Sequence, residues 1–395
     1  MGFNSVRNVI IESTIFVTLL LAYPFVICQM VSVPSLKIVY GFSAVLVLIL
    51  SLSYKKNIHL PQPLKICLLL HLLLFVVLLI IHSDIGFIEA FSFALFSYIY
   101  VWSLQKTSGL KSFFVKYNVI ICLMSLAGLV AFILVFLELI DPLFTFENRD
   151  GRNAWCFGLT CTNVYIGNII RASGYFDEPG ALAYWGVFSL LINRLFIKNK
   201  YVEIGLIIGL IFTLSMAYFI QLFCYVLLFY RKKKKALITV SVFLSLIGFF
   251  GYTLGTTDSD VLYRLTFNRF DKAKEGDTNR TGISMEHAIQ MFQENPILGV
   301  GVTKMKTANA GDNPYESLAC YGLFGSFLLY FPLIMILTLR RGKEFTYAVI
   351  ILFIGYLQRP FHPQLIHFFM IYSFLTLCYY EKNMCPKSIS NNNLL

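Results

Sequence analysis

The sequence predicts an all-α polytopic membrane protein that forms a single integral membrane domain over residues 1–395. Hydrophobic residues make up 57% of the chain and charged residues only 13%, whereas about a quarter of a soluble domain is charged. The mean hydropathy is +0.71, and apolar segments long enough to approach a ~30 Å hydrocarbon core recur along the whole chain. No small-residue cleavage site follows the first apolar segment after Arg7, so we expect that segment to act as an anchor.

These apolar segments predict about twelve transmembrane helices. The run 201–230 is too long for one untilted helix at about 1.5 Å per residue. We therefore divide it near Ser215 into two short helices that turn back at the outer face. The twelve spans lie near residues 9–30, 36–54, 64–82, 86–104, 117–140, 180–197, the two halves of 201–230, 236–255, 320–339, 344–358 and 365–380.

The basic residues test this topology independently, because cytoplasmic loops of membrane proteins are rich in Lys and Arg. With a cytoplasmic amino terminus, 20 of the 32 Lys and Arg residues fall on the cytoplasmic side, including the run Arg231–Lys235. Both termini are then cytoplasmic, and two long periplasmic loops cover residues 141–179 and 256–315. Topology and lipid headgroups explain the net charge of +11 better than nucleic acid binding does.

The nine cysteines do not form a disulfide framework, because five of them fall within predicted spans and behave as small apolar residues. Cys156 and Cys161 are the exception, since an oxidising periplasm allows a disulfide in the first outer loop but does not require one. The chain has no paired Cys-x-x-Cys set, no His-Glu-x-x-His and no glycine-rich phosphate loop. The sequence therefore predicts neither a metal site nor a nucleotide cofactor.

The most informative stretch is Arg171–Gly180, which reads Arg-Ala-Ser-Gly-Tyr-Phe-Asp-Glu-Pro-Gly. It places one arginine, two adjacent carboxylates and three backbone-breaking residues directly before an apolar span. Charged groups at a membrane edge are costly unless they act on something. We interpret this stretch as one wall of an active site that faces an anionic lipid-linked substrate.

The second outer loop carries a further group of polar and turn-forming residues. Apolar residues recur at helical spacing from Met285 to Phe292 and predict an amphipathic helix that Pro296 ends. A helix of this kind is equally explained as a packed lid. The polar segment Asp312–Glu316 follows, directly before the tenth predicted span.

Three arginines from separate regions reach the same predicted outer face. They are Arg171 in the first outer loop, Arg280 in the second and Arg359 in the turn between the last two spans. Guanidinium groups match phosphate oxygens and keep their charge at any relevant pH. A pyrophosphate is therefore the predicted ligand.

The order of these motifs carries a resemblance to the bacterial O-antigen polymerase and ligase superfamily. The resemblance covers roughly residues 165–330 and the twelve-helix plan. It implies a glycosyltransferase of the GT-C class, built of membrane helices, with a periplasmic catalytic face and no need for a metal. The matching positions are Arg171, Gly174, Phe176, Glu178, Pro179, the Ser215 turn, Arg280, Asn295, Pro296, Gly299, Gly301, Asn313, Tyr315, Gly322 and Gly325.

One departure from the family pattern separates the two branches of this superfamily. Ligases usually carry a histidine, thought to serve as the catalytic base, directly before the asparagine that matches Asn313. Asp312 stands at that position, so the resemblance implies the polymerase branch, which joins repeat units carried on undecaprenyl pyrophosphate at the inner membrane. His287 and His362 are candidate substitutes for the base, although a lone histidine is more simply a surface residue.

The resemblance also implies roles for individual residues. Arg171 and Arg280, and after them Arg359, are expected to bind the pyrophosphate, and Arg280 is also expected to act in catalysis. The base is Glu178 or Asp312. No cofactor is expected, and the implied partners are the undecaprenyl-pyrophosphate-linked oligosaccharide, membrane lipids and a polysaccharide chain-length regulator.

Several of these residues have structural explanations too. Glu178 is an alternative ion-pair partner for Arg171, and acidic residues such as Asp312 also stabilise helix amino termini. Tyr175, Phe176 and Tyr315 are expected to stack on sugars, with Asn313 beside them, but aromatic residues are also enriched at membrane interfaces. Each of these residues therefore has both a functional and a structural explanation.

The main alternative function from another class is transport, for example of a lipid-linked oligosaccharide by a flippase. A transporter is expected to place charged residues at the bilayer midplane and to consist of related halves. Here the few charged residues of the predicted spans lie near their ends, and the polar residues concentrate in two dissimilar outer loops. This distribution favours an enzyme that works at the membrane surface over a transporter or an export scaffold.

Overall fold

The structure is a computed structural model that describes residues 3–22, 26, 33–56, 58–148, 151–166, 168–232, 283–308, 313–340, 342–359 and 363–384. A π-helical turn, Asn193–Ile197, extends the sixth helix. The helices of these residues are α1 Phe3–Ala22, α2 Val33–Leu52, α3 Gln62–His82, α4 Gly86–Lys106, α5 Leu110–Phe136, α6 Pro179–Ile192, α7 Lys200–Ile211, α8 Met216–Phe229, α9 Ile283–Glu294, α10 Val302–Thr307, α11 Glu316–Leu339, α12 Lys343–Gln358 and α13 Leu365–Met384.

The described helices confirm the predicted all-α polytopic fold. Six of them, α2 to α6 and α11, are long and apolar enough to cross a membrane. Helix α13 is almost entirely buried along residues 365–378 and packs against α4 and α11, so it lies inside the bundle. The predicted span 236–255 lies outside the described residues.

The run 201–230 forms a short helical hairpin, as its length predicts. Helix α7 has 12 residues, or about 18 Å, which is too short to cross a ~30 Å core. A Cβ at Gly209 would lie 2.7 Å from the carbonyl carbon of Ser125, so α7 packs directly on the backbone of α5. Helix α5 continues to Phe136, and the hairpin turn therefore lies short of the carboxyl-terminal end of α5.

Residues 141–179, the predicted first outer loop, contain strands that the sequence pattern does not predict. An antiparallel sheet is formed by β1 Phe144–Glu147, β2 Asn153–Cys156 and β3 Cys161–Thr162, and a second hairpin by β4 Tyr165–Ile166 and β5 Ile169–Ile170. Cys156 lies opposite Cys161 in the register, and the two form a disulfide. The disulfide closes the turn that leads toward Arg171–Gly180.

Helix α11 is broken near its amino-terminal end, at Gly322, where φ is 66° and ψ is −174°. The segment 295–301 lies along the break and completes its backbone hydrogen bonds. Leu323 N donates to Pro296 O at 2.8 Å, and Val300 N donates to Ala319 O at 2.9 Å. Backbone polar groups at membrane depth need such partners, so this segment is an integral part of the broken helix.

Asp84 joins the start of α4 to the start of α10. Its carboxylate accepts hydrogen bonds from Gly86 N at 2.9 Å, Thr303 N at 2.7 Å and Thr303 Oγ1 at 2.9 Å. Burial raises the pKa of Asp84, but these hydrogen bonds outweigh it and hold the pKa below its ordinary value. The start of α10 is thereby fastened to the loop between α3 and α4.

This contact predicts a specific loss of stability in acid. Because the folded-state pKa is depressed, the contribution of Asp84 is complete above the unfolded pKa of about 3.9 and is lost as pH falls through the folded value. We expect Asp84→Asn to lower stability at neutral pH by about 1 to 3 kcal/mol and to flatten the loss below pH ~4. Melting in detergent at pH 3 to 7 measures both. Asp141→Asn, at an exposed position, is the control and should match the wild type.

Candidate active site

Glu178 lies between two arginines immediately before α6. Its Oε1 contacts Nη2 of Arg359, and its Oε2 lies 3.9 Å from Nη1 of Arg152. The Glu178 and Arg359 side chains are 23% and 20% exposed, whereas Arg152 is 52% exposed. The structure thus brings together two predicted residues, Glu178 and Arg359, and adds Arg152 on the solvent side.

The Arg359 guanidinium lies over the first turn of α6. A Cβ at Gly180 would lie 3.0 Å from its Nη2 atom. The amino terminus of a helix carries a partial positive charge, so a cation there is unfavourable unless an anion accompanies it. Glu178 supplies that anion, and the same positive charges would attract a phosphate group.

Arg171 has a different environment and is only 4% exposed. Its Nε donates to Thr213 O and its Nη2 to Leu214 O, each at 3.0 Å. These carbonyls follow the last turn of α7, where helix carbonyls lack intrahelical partners. Arg171 therefore fastens the first outer loop to the hairpin turn. Its binding of pyrophosphate stays a prediction.

Arg171 and Arg359 lie at the same end of the bundle. Helices α8 and α12 pack together, with Gln221 Nε2 donating to Ile351 O at 3.2 Å and with the rings of Phe229 and Tyr347 5.8 Å apart. This register makes the two helices antiparallel. The start of α8, beside the turn that Arg171 holds, therefore neighbours the end of α12 that carries Arg359.

Glu178, Arg152 and Arg359 together form what we call the Glu178 cluster. A buried layer of aromatic and polar side chains lies below it. The Tyr184 ring is 6.2 Å from Tyr356 and 5.8 Å from His367, and Trp185 is 5.0 Å from His367. His367 is 2% exposed. Sequence reasoning did not select this histidine, although an ionisable residue inside an apolar span is itself a signal of function.

Asn313 and Tyr315 form the connection into α11. Asn313 is fully buried; its Nδ2 lies 3.3 Å from both the carbonyl and the hydroxyl oxygen of Ser284. Its Oδ1 accepts from Tyr315 N at 3.0 Å. These contacts position α9, which buries Ala288 and Met291, over the broken helix.

Tyr175 connects two parts of the first outer loop. Its hydroxyl donates to Gly158 O, and its backbone oxygen accepts from Val26 N at 2.8 Å. The side chain is half-buried. These contacts hold the disulfide-closed turn beside the site, and the predicted stacking of Tyr175 on a sugar stays a prediction.

Arg280, Asp312 and His362 lie outside the described residues, so their predicted roles stay predictions. His287 lies on α9, with Nδ1 3.1 Å from Ala308 O, which connects that helix to the end of α10. Among the residues that the structure describes, no group of three or more His, Cys, Asp or Glu side chains is placed to hold a metal ion.

Residues 202–322 match the family model described as O-Antigen ligase. The matched region runs from the first turn of α7, through the hairpin, to Gly322 at the break of α11. It contains both the turn that Arg171 binds and the segment 295–301. No curated protein and no solved structure gives a significant match to the chain.

Proposed function

The chain belongs to the O-antigen polymerase and ligase superfamily, and we propose that it is a polymerase that joins oligosaccharide repeat units carried on undecaprenyl pyrophosphate. The observation that carries this proposal is the placement of Arg359 and Arg152 around Glu178 at the amino terminus of α6. A pyrophosphate leaving group requires fixed positive charge, and a sugar hydroxyl requires a nearby base. This cluster offers both.

The reaction needs one bond made and one broken. A hydroxyl at the non-reducing end of the incoming unit attacks the anomeric carbon of the growing chain, and the bond from that carbon to the pyrophosphate oxygen breaks. The hydroxyl proton passes to a carboxylate, Glu178 or Asp312. Undecaprenyl pyrophosphate leaves with the electron pair, and Arg171, Arg280 and Arg359 stabilise its charge.

Glu178 and the pyrophosphate compete for the same guanidinium. Arg359 contacts Glu178 in the structure. When the pyrophosphate binds Arg359, the Glu178 carboxylate is released beside the reacting centre. Donor binding would therefore also place the base, so that a proton acceptor becomes accessible only when a substrate is present.

The polymerase branch is preferred to the ligase branch because of one residue. Asp312 stands where the ligases usually carry a histidine. A ligase that transfers polysaccharide to lipid A-core is the second candidate, because the matching family model is described as O-Antigen ligase. Transport of a lipid-linked oligosaccharide is the alternative from another class.

We infer the cellular location and orientation of the protein from the predicted topology of its helices and loops. The protein would lie in the bacterial inner membrane as a multi-pass protein of the GT-C class, with both termini cytoplasmic and the Glu178 cluster periplasmic. Its donor already carries its activation, so the residues named above need neither a metal nor a nucleotide cofactor. A chain-length regulator is the proposed protein partner.

The test uses lipopolysaccharide from cells that lack the gene. We expect single O-units on the lipid core, a ladder on complementation with the wild type, and no ladder with Arg171→Ala or Arg280→Ala, because losing one charge-stabilising donor costs about 100-fold in rate. Immunoblots of membranes must show equal protein.

Other patterns would contradict the polymerase assignment. A core without any O-units after deletion indicates ligation or flipping. A normal ladder in cells that lack the gene would exclude polymerisation, ligation and flipping as functions of this protein. Arg171 also holds the hairpin turn, so a melting curve must show that Arg171→Ala is folded before its ladder is compared with that of the wild type.

A further inference from the structure

A second charged site lies at the opposite end of α12 from Arg359. Helix α12 has 16 residues, so the two ends are about 24 Å apart. A cavity of about 340 Å³ opens between the end of α8 and the start of α12. Its lining includes the basic residues Arg231, Lys232 and Lys343 and the aromatic residues Phe229, Tyr230 and Tyr347.

The charge of this cavity is positive. Glu344 also lines it, but three basic side chains outnumber that carboxylate. The neighbouring Glu203 is already satisfied, because its Oε1 accepts from Tyr230 and Tyr225 hydroxyls at 2.5 and 2.6 Å and lies 3.4 Å from Arg194 Nη1. These contacts fix Tyr230 as one wall of the cavity.

The basic side chains are placed to receive a ligand from the membrane. The Arg231 guanidinium lies 5.8 Å from the centre of the Tyr347 ring, which orients it at the mouth of the cavity. Arg231, Lys232 and Lys343 are exposed. Aromatic rings with basic groups are typical of the headgroup level of a bilayer.

An exposed apolar strip lies on α8, the helix whose last residues line this cavity. Ile220, Phe223 and Leu227 are 44%, 40% and 41% exposed and share one helix face by their spacing. An acyl chain can lie on such a strip while its phosphate occupies the basic cavity. A soluble phosphate would use only the cavity.

We propose that this cavity binds the phosphate of an anionic phospholipid from the adjacent leaflet. Basic pockets between membrane helices recognise such headgroups by charge. The bound lipid would hold the ends of α8 and α12 together. Both helices reach toward the Glu178 end of the bundle, but the lipid site does not depend on the proposed glycosyl transfer.

Native mass spectrometry of the full-length protein in detergent tests this proposal, with phosphatidylglycerol as the probe. We expect Arg231→Gln/Lys343→Gln to lower the apparent association constant for the lipid by about fivefold for each charge removed. Phosphatidylcholine should bind weakly to both proteins. The matched control is Lys55→Gln/Lys111→Gln, which removes two exposed charges that are not part of the cavity lining.

Three outcomes would overturn the proposal. Equal losses in the two double variants would mean that overall charge, not the cavity, attracts the lipid. Equal binding of phosphatidylcholine would exclude recognition of the anionic headgroup. Displacement of the lipid by inorganic phosphate at similar concentration would assign the cavity to a soluble anion. Gel filtration confirms that each variant is folded.

Discussion

Arg359→Ala is expected to lower polymer formation about 100-fold without unfolding the protein, as the loss of one charge-stabilising donor typically does. Arg359 follows the last residue of α12, and without it Glu178 keeps a second arginine, Arg152, at 3.9 Å, so we expect the fold to tolerate its removal. The incoming pyrophosphate would lose the guanidinium that lies over the start of α6. The measurement is the rate at which purified protein elongates lipid-linked repeat units, resolved by gel.

A matched control is available at another helix end. Arg340 has the same exposed fraction, 20%, and pairs with Glu381 at 2.9 Å. It lies at the far end of α11 from the site, so Arg340→Ala should keep its elongation rate while losing a comparable ion pair. Equal losses of activity in the two variants would show that the effect is structural.

A double variant separates two roles of Arg359. If Arg359 only neutralises Glu178, then Arg359→Ala combined with Glu178→Gln should regain binding of the lipid-linked donor, because no unpaired carboxylate is left. If Arg359 binds pyrophosphate, the double variant should bind the donor as weakly as Arg359→Ala does. We expect no recovery of donor binding, and the measurement is binding of the lipid-linked repeat unit to the purified variants.

The sequence predicts the helices well because lipid imposes a simple rule on them. A spanning helix needs about 20 apolar residues, so the runs that became α2 to α6 are visible without any tertiary information. The hairpin near Ser215 follows from length alone. The two-residue strands β3 to β5 were missed because such short elements carry no periodic signal.

The site was harder to predict because its contacts are not local. Arg171, Glu178 and Arg359 were selected as charged residues beside membrane spans, but only the packing of α6 and α12 pairs Glu178 with Arg359 rather than leaving it for Arg171. Sequence spacing also could not place Arg171 on the carbonyls of Thr213 and Leu214. Its buried position results from the hairpin turn, whose depth depends on how α7 packs on α5.

The break in α11 explains why three of the motif positions are glycines. Gly299, Gly301 and Gly322 all have positive φ. A Cβ at Gly299 would lie 2.4 Å from the carbonyl of Cys320, so the segment 295–301 and the break in α11 pack backbone against backbone. Side chains at these positions would force the two segments apart.

Gly322→Ala is therefore expected to unfold the protein or to prevent its accumulation. Its backbone, with φ 66° and ψ −174°, occupies a region that is essentially restricted to glycine. An added Cβ would lie 2.3 Å from the carbonyl of Ile297, whose oxygen accepts a hydrogen bond from Phe324 N. Strain and steric overlap together should cost about 3 kcal/mol or more. Membrane yield and melting temperature in detergent measure this loss.

Gly342→Ala is the matched control for this substitution. Gly342 has φ −77°, and its added Cβ would make an ordinary contact of 3.6 Å with Phe345. We expect a change within about 0.5 kcal/mol. If Gly322→Ala has the same melting temperature as Gly342→Ala, the segment 295–301 does not hold the break closed. If only Gly322→Ala fails to accumulate in the membrane, these glycines are required for a fold that presents Asn313 and α9 to the site. Loss of polymer in such a variant then gives no information about catalysis.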